Sequence, residues 1–243
     1  MTVGDAAAHA VEDFSDTAVV MITRNEVGAI GKVVDDILAS APGAEVIVVD
    51  GSSDRTPEIA RAHGATVVAE PGGGPAPALV AALRASDRPV VVTIDADDTY
   101  PTTLIPALVA LVRDSFDIAG TNRLGFGRPG AMPLANYLAN VGFNVLATVR
   151  SGRRLRDVHT GMRAYRREVI EAFDWDVEGL ALPVDLLLWP ARDRLRVVEI
   201  PIEYRERIGE TTLVRLPGTT WTLRRILRPG PPRRSPASSP QSR

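Results

Sequence analysis

The stretch Val90-Val91-Val92-Thr93-Ile94-Asp95-Ala96-Asp97-Asp98 decides how this chain folds. Five residues, mostly β-branched and apolar, run straight into three carboxylates within four positions. Such a run reads as a strand buried on both faces. Carboxylates gathered at its C-terminal end cannot all be ionised cheaply unless a cation sits among them. In an open α/β sheet, ligands bind just outside the carboxyl ends of the strands. Hard oxygen donors there suit Mg2+ or Mn2+, held by one or two carboxylates and completed by substrate phosphates. Asp-Asp-Thr also makes a good polar turn or helix N-cap, so the rest of the chain must decide between the two.

Two more strands end in the same way. Glu45-Val46-Ile47-Val48-Val49-Asp50 is an apolar run capped by an acid, followed by Gly51-Ser52-Ser53-Asp54-Arg55-Thr56-Pro57-Glu58. There Ser, Thr or Asp caps a helix over residues 57–63, with Pro57 in its first turn and Gly64 as its stop. Thr17-Ala18-Val19-Val20-Met21-Ile22 delivers Thr23-Arg24-Asn25-Glu26 to its own C-terminal end. Three polar strand ends separated by helical stretches imply βαβ units, a mostly parallel sheet and one convergent site.

At 243 residues and 45% hydrophobic, the chain can bury the core of one large α/β domain. Without cysteine it has no disulfide and no Cys-ligated zinc, which is compatible with the cytoplasm. No basic-then-apolar leader is expected at the N-terminus. No apolar run approaches the roughly 18–20 residues that span a bilayer. Residues 1–16 carry a charge of −4, and residues 211–243 hold seven Arg and no acid. Residues 1–15 are expected to be a flexible acidic N-terminus, 16–215 the domain, 216–228 a short basic amphipathic segment, and 229–243 a disordered Pro/Ser/Arg tail. Within the basic segment, Trp221-Thr222-Leu223-Arg224-Arg225-Ile226-Leu227-Arg228 alternates apolar and basic groups. It suits either peripheral contact with an anionic membrane or packing onto the domain, with Pro217-Gly218 expected to interrupt any longer helix. No nucleic-acid-binding module is recognisable.

The chain resembles family 2 glycosyltransferases of the GT-A fold, closest to the dolichyl-phosphate mannosyltransferase group and its bacterial polyprenyl-phosphate relatives. The resemblance rests on Met21-Ile22-Thr23-Arg24-Asn25-Glu26, Val48-Val49-Asp50-Gly51-Ser52-Ser53-Asp54-Arg55-Thr56 and Thr93-Ile94-Asp95-Ala96-Asp97-Asp98-Thr99-Tyr100-Pro101. It continues through Gly120-Thr121-Asn122-Arg123, Asp157-Val158-His159-Thr160-Gly161-Met162-Arg163-Ala164-Tyr165-Arg166-Arg167 and Val198-Glu199-Ile200-Pro201-Ile202-Glu203-Tyr204-Arg205-Glu206-Arg207. The likeness implies a single Rossmann-like GT-A domain whose central sheet is flanked by helices. It implies an enzyme that moves a sugar, with inversion, from a nucleoside-diphosphate donor to a polyprenyl phosphate or a soluble hydroxyl acceptor. Thr23, Glu26 and Asp50 would hold base and ribose. Asp97 would be the principal ligand of Mg2+ or Mn2+, with Asp95 beside the metal and ribose, and Arg205 and Arg207 would close on the donor phosphates. Arg123 and Arg163 are expected at an acceptor phosphate, because the guanidinium fork matches phosphate oxygens. A hydroxyl acceptor needs a general base, for which the order of candidates is Asp157, Asp185, then Glu178.

The chain departs from the family in places. The turn after Asp50 is one residue short, and Gly72-Gly73-Gly74-Pro75-Ala76-Pro77 replaces a Gly/Lys-containing stretch. With no spanning helix expected past Arg228, the protein is expected to be cytoplasmic and at most peripheral at the inner face of the membrane. Two other classes stay open: a nucleotidyltransferase, although Thr23–Gly28 lacks the Gly-rich basic loop, and a non-catalytic nucleotide-binding module.

Overall fold

The computed structural model describes residues 12–130, 132–175, 178, 181–206, 208 and 215–230, with 215–218 as backbone only. Arg207, most of the N-terminus expected to be flexible and most of the C-terminal tail lie outside the described residues.

The strands are β1 (Thr17–Thr23), β2 (Glu45–Asp50), β3 (Thr66–Ala69), β4 (Val90–Thr93), β5 (Ile118–Asn122), β6 (Arg163–Arg166) and β7 (Val197–Pro201). Among the described residues they form one sheet in the order β3-β2-β1-β4-β6-β5-β7, parallel except for β6, which runs antiparallel to β4 and β5. Successive residues of a strand point to opposite faces, and the central strands are apolar on both. Ala18, Val20, Ile47, Val49 and Val91 pack on one side with α3 (Pro75–Arg84) and α7 (Leu182–Arg192). Val19, Met21, Val46, Val48 and Val92 pack on the other with α1 (Ile30–Ser40) and α4 (Ile105–Asp114).

The chain adds β2 and β3 on one side of β1 and then crosses to place β4 on the other, so the order reverses between β1 and β4. A crevice opens at such a reversal, at the carboxyl ends of the strands. Register brings the polar ends together there. Thr23 is the partner of Asp50 at the end of the β1–β2 ladder. Thr93, just before Asp95, faces Arg163 at the start of β6. α2 (Thr56–Ala62) begins with Pro57 in its first turn, while Asp54 Oδ1 accepts the Thr56 N–H at 2.9 Å; Gly64 beyond its end sits at φ +101°. The expected Ser, Thr or Asp cap is not formed: the N-cap position is Arg55, without a side-chain cap hydrogen bond, and the Asp54 carboxylate one residue earlier closes a tight turn onto Thr56 instead.

The C-terminal segment differs from expectation. α8 (Arg215–Leu227) runs straight through Pro217-Gly218, because a proline in the first helical turn removes an N–H that has no intrahelical partner. It packs against α5 (Leu134–Ser151) and α7, and its basic residues are not all on a solvent face. Thr222, Arg225 and Ile226 are buried. Arg225 pairs with Asp185 of α7 and donates to the Glu178 carbonyl, and Arg228 reaches Asp185 at 2.6 Å. Trp189 Nε1 donates to the same carboxylate at 3.0 Å. Thr222 also meets His159 Nε2 at 2.8 Å, where the imidazole packs on Phe143 of α5.

Two stability effects follow. Breaking a buried ion pair from one side leaves an uncompensated charge, at a cost of about 3–5 kcal/mol. Asp185→Leu strands the buried Arg225 and is therefore expected to lower urea stability on that scale, and Arg225→Met added to it to recover much of the loss. A loss within the range of ordinary surface variants would remove the pair from this role. Burial, reinforced by the positive charge of Arg123, pushes the His159 imidazole down to about 4. The unfolded ring titrates at about 6.5. Between the two, the unfolded chain binds a proton that the folded chain refuses, so stability falls as pH drops through that window. The effect amounts to about 3 kcal/mol. Urea midpoints measured from neutral to mildly acidic pH should show this slope in the wild type and a much flatter one in His159→Gln.

Candidate active site

The loops after β1 and β2 are stitched into one wall of the crevice. Asp50 Oδ1 accepts from the hydroxyls of Thr23 at 2.7 Å and Ser52 at 2.6 Å. Asn25, in the left-handed region at φ 60°, donates its N–H to Ser52 Oγ at 2.8 Å and accepts the Ser53 N–H at 2.9 Å. Glu26 is buried, and its N–H donates to Thr56 Oγ1 at 2.9 Å. Thr23 and Asp50 are thus joined directly, and Glu26 follows on the same loop, with its backbone held by Thr56.

The opposite wall carries the acidic turn after β4. Asp95 is exposed and lies against Gly161, where an added Cβ would overlap its carboxylate. Asp97 is only 5% exposed, and its Oδ1 accepts from Thr99 Oγ1 at 2.6 Å and Thr99 N–H at 3.3 Å. Asp98 takes φ 60° and turns its side chain away to Lys32 of α1, 2.9 Å from its Nζ. The three acids are therefore placed differently: Asp98 meets an ammonium, Asp97 is buried on Thr99 and Asp95 is exposed. Two carboxylates with hard oxygen donors fit Mg2+ or Mn2+, ions that take their other ligands from water and phosphate. The segment after β7 lies across this turn, with the Arg205 N–H donating to Thr99 O at 3.2 Å and the Ile208 N–H to Asp97 O at 3.1 Å. The Arg205 guanidinium is half exposed and 3.9 Å from Asp98. Arg207 lies outside the described residues.

A cavity of about 180 Å³ is lined by Arg123, Phe126, Arg128, Gly130, Glu203 and Tyr204. Tyr204 links it to Tyr100 of the turn that follows the acids. Tyr100 accepts the Gly161 N–H at 2.7 Å and meets Tyr204 edge to face at 5.4 Å, and the Arg123 guanidinium stacks over Tyr204 at 5.4 Å. Burial raises the Tyr100 hydroxyl well above its ordinary value, so it stays protonated.

Three expected site residues are placed differently by the structure. Asp157, first among the candidate bases, is fully buried and forms a bidentate pair with Arg123: Oδ2 to Nε at 2.7 Å and Oδ1 to Nη2 at 2.8 Å. Burial pushes this carboxyl up, but the charge and hydrogen bonds of Arg123 outweigh it and hold the carboxyl below its usual range. It is a poor base and a good orienting partner. Asp185 sits in the α7–α8 cluster and is 0% exposed, so its carboxylate holds α8 and does not face the crevice. Arg163 is 1% exposed and donates to the carbonyls of Pro183, Asp157 and Val158. Its fork pins the backbone of the 157–162 loop and does not reach the cavity. Arg128 is the cavity cation that the motifs do not show. It has one described hydrogen bond, to Met132 O at 2.8 Å, and its only signal in the sequence is its place in an acid-free stretch. Lys32, Tyr100, Tyr204 and Gly161 were missed for the same reason, since each matters through a contact distant in sequence.

Comparisons with known proteins agree with this architecture. The model of the family described as Glycosyl transferase family 2 matches residues 18–173. A dolichyl-phosphate hexose transferase of Haloferax volcanii is 47% identical over 201 residues, 82% of this chain and 87% of that one. An undecaprenyl-phosphate mannosyltransferase of Micrococcus luteus is 27% identical over 79% of this chain and 84% of its own length. The structure of glucosyl-3-phosphoglycerate synthase from Mycobacterium tuberculosis with Mn2+, UDP and glucosyl-3-phosphoglycerate superposes at a TM-score of 0.68 and 23% identity, covering 86% of this chain and 76% of that one. That likeness establishes a GT-A fold. With a family match over more than half its length and a relative this similar over most of it, the chain belongs to glycosyl transferase family 2, and it is a glycosyltransferase.

Proposed function

We propose that the protein transfers a hexose from a nucleoside-diphosphate hexose to a polyprenyl phosphate, with inversion at the anomeric carbon. The observation that carries this reading is a cavity lined by Arg123 and Arg128, while the expected bases are engaged elsewhere: Asp157 by Arg123, and Asp185 by Arg225 and Arg228. A phosphate monoester has a second pKa of about 6. At neutral pH it is mostly dianionic and needs no protein base. Its oxygen attacks the anomeric carbon, the bond from that carbon to the diphosphate oxygen breaks, and the nucleoside diphosphate leaves with the electron pair.

Thr23, Glu26 and Asp50 hold the nucleoside. Asp95 and Asp97 would hold Mg2+ or Mn2+, which supplies charge neutralisation for the departing diphosphate. Arg205 reaches the donor phosphates, with Arg207 next in sequence. Arg123, oriented by Asp157, and Arg128 receive the acceptor phosphate, and Arg163 keeps the 157–162 loop in place. The names of the Haloferax and Micrococcus relatives support the acceptor class. The structures of the mycobacterial synthase with Mn2+ or Mg2+ and UDP support the metal and a uridine nucleotide. A soluble hydroxyl acceptor is the second reading, favoured by Glu203, which lines the same cavity and would be its base.

Release of nucleoside diphosphate from UDP-hexoses, with a water-soluble short-chain polyprenyl phosphate as acceptor, tests the proposal. The rate should rise with pH through about 6 and then stay level, and Glu203→Gln should leave that profile in place. Transfer to glycerol-type hydroxyls that Glu203→Gln abolishes, with none to the lipid phosphate, would replace the first reading by the second. Asp97→Asn should lower turnover roughly a hundredfold or more. Full activity in excess chelator would end the metal assignment. Gly161→Ala should raise the metal concentration needed for half-maximal rate roughly tenfold by displacing Asp95, with little change in the melting temperature.

A further inference from the structure

A single ammonium joins the two walls of the crevice. Lys32, the only lysine of the chain, lies in the first turn of α1, the helix that follows the 23–26 loop. Its Nζ stands 2.9 Å from both oxygens of Asp98 and 2.6 Å from Asp36 Oδ2, one helical turn further on. The Asp98 side chain is only 12% exposed. Water therefore screens its charge poorly, and a cation must meet it. An ammonium between the two oxygens does this as a compact point charge.

A second cation stands close to the same carboxylate. The segment after β7 is fixed over the acidic turn by its backbone, Arg205 N–H to Thr99 O and Ile208 N–H to Asp97 O. From there the Arg205 guanidinium comes within 3.9 Å of Asp98 Oδ1, too far for a hydrogen bond, and its side chain is 53% exposed. Lys32 is the nearer cation and engages both oxygens. Two cations thus compete for one carboxylate, and the lysine holds it. With the ammonium gone, Asp98 would pair with the guanidinium, since a change of side-chain rotamer closes the remaining gap and charge-assisted pairs of this kind are strong.

We infer that Lys32 is a positioning residue for the donor site: by satisfying Asp98 it keeps the Arg205 guanidinium out of an ion pair with that carboxylate and open to the donor diphosphate. Lys32 touches no substrate in this role and acts through Asp98 and Arg205. The inference rests on the reading of Arg205 as a donor-phosphate residue proposed above.

Calorimetric titration of the full chain with UDP and with GDP in the presence of Mn2+ tests this inference without acceptor or turnover, and the tighter binder is carried through the variants. Its dissociation constant should rise roughly fivefold or more in Lys32→Met, because Arg205 must leave Asp98 before it meets phosphate. Lys32→Arg keeps a cation on Asp98 and should bind as the wild type does. Asp98→Asn added to Lys32→Met should restore affinity to within about twofold. The amide does not capture the guanidinium, and asparagine tolerates the left-handed backbone of that position, φ 60°. If Lys32 only braced the turn, Asp98→Asn would leave binding as weak or weaken it further, and that outcome overturns the inference. So does wild-type affinity in Lys32→Met alongside a loss in Arg205→Met. Wild-type affinity in Arg205→Met would instead remove Arg205 from the donor site, so that the earlier reading fails first and this inference with it.

Discussion

Arg123 and Asp157 meet through two guanidinium–carboxylate hydrogen bonds in a setting where the carboxylate has no solvent exposure. Neither ion is tolerable there alone, so each fixes the other, and the cavity wall that Arg123 supplies hangs from the pair. Asp157 also accepts the Arg123 N–H and the His159 N–H, while its own N–H donates to Glu199 of β7 at 2.7 Å. Arg163 passes beneath and ties the carbonyls of 157 and 158. The pair thus joins the end of β5, the loop before β6 and β7, and it presents a guanidinium already oriented, with its rotamer freedom lost on folding and not on binding.

The antiparallel strand explains why that loop belongs to the site at all. In a purely parallel sheet, a loop leading into a strand lies at the edge away from the ligands. β6 runs the other way, so its start lies beside the end of β4, with Arg163 opposite Thr93. Thr93 Oγ1 donates to Gly161 O at 2.8 Å and closes the junction. Gly161, without a Cβ, lets the acceptor loop come into contact with the Asp95 carboxylate. The parallel Rossmann-type half and the part built around β6 therefore share one edge of the sheet.

The fold was legible in the sequence because strands buried on both faces leave unbroken β-branched runs, and the helices between them have glycine and proline at their ends. The gathering of Thr23, Asp50, Asp95 and Asp97 was legible for the same reason, since they sit at strand ends that βαβ topology must bring together. Which charges neutralise which was not legible. Asp157 and Asp185 look alike in sequence as unpaired acids near motifs, yet one orients Arg123 and the other anchors α8. Such pairings join residues 34 and 40 positions apart, and no local pattern encodes them. Asp98 misled in the same way, because its left-handed backbone and its contact with Lys32 are tertiary facts.

The membrane-facing reading of the C-terminal segment shows the same distinction at the surface. Basic and apolar residues alternate in Trp221–Arg228, but burial divides them: Thr222, Arg225 and Ile226 serve the interior, and Leu223 and Leu227 do not. A fully apolar-and-basic helix face would have been a self-sufficient anchor. With half of its charges drawn inward by Asp185, α8 is better understood as the element that braces α5 and, through Thr222 and His159, the acceptor loop. The uncovered hydrophobic surface lies mainly on α5, a helix whose composition alone reads as ordinary core. Its asymmetry emerges only once the fold shows that Asn144 and Ala147 take the inward positions and leave the leucines and valines outside.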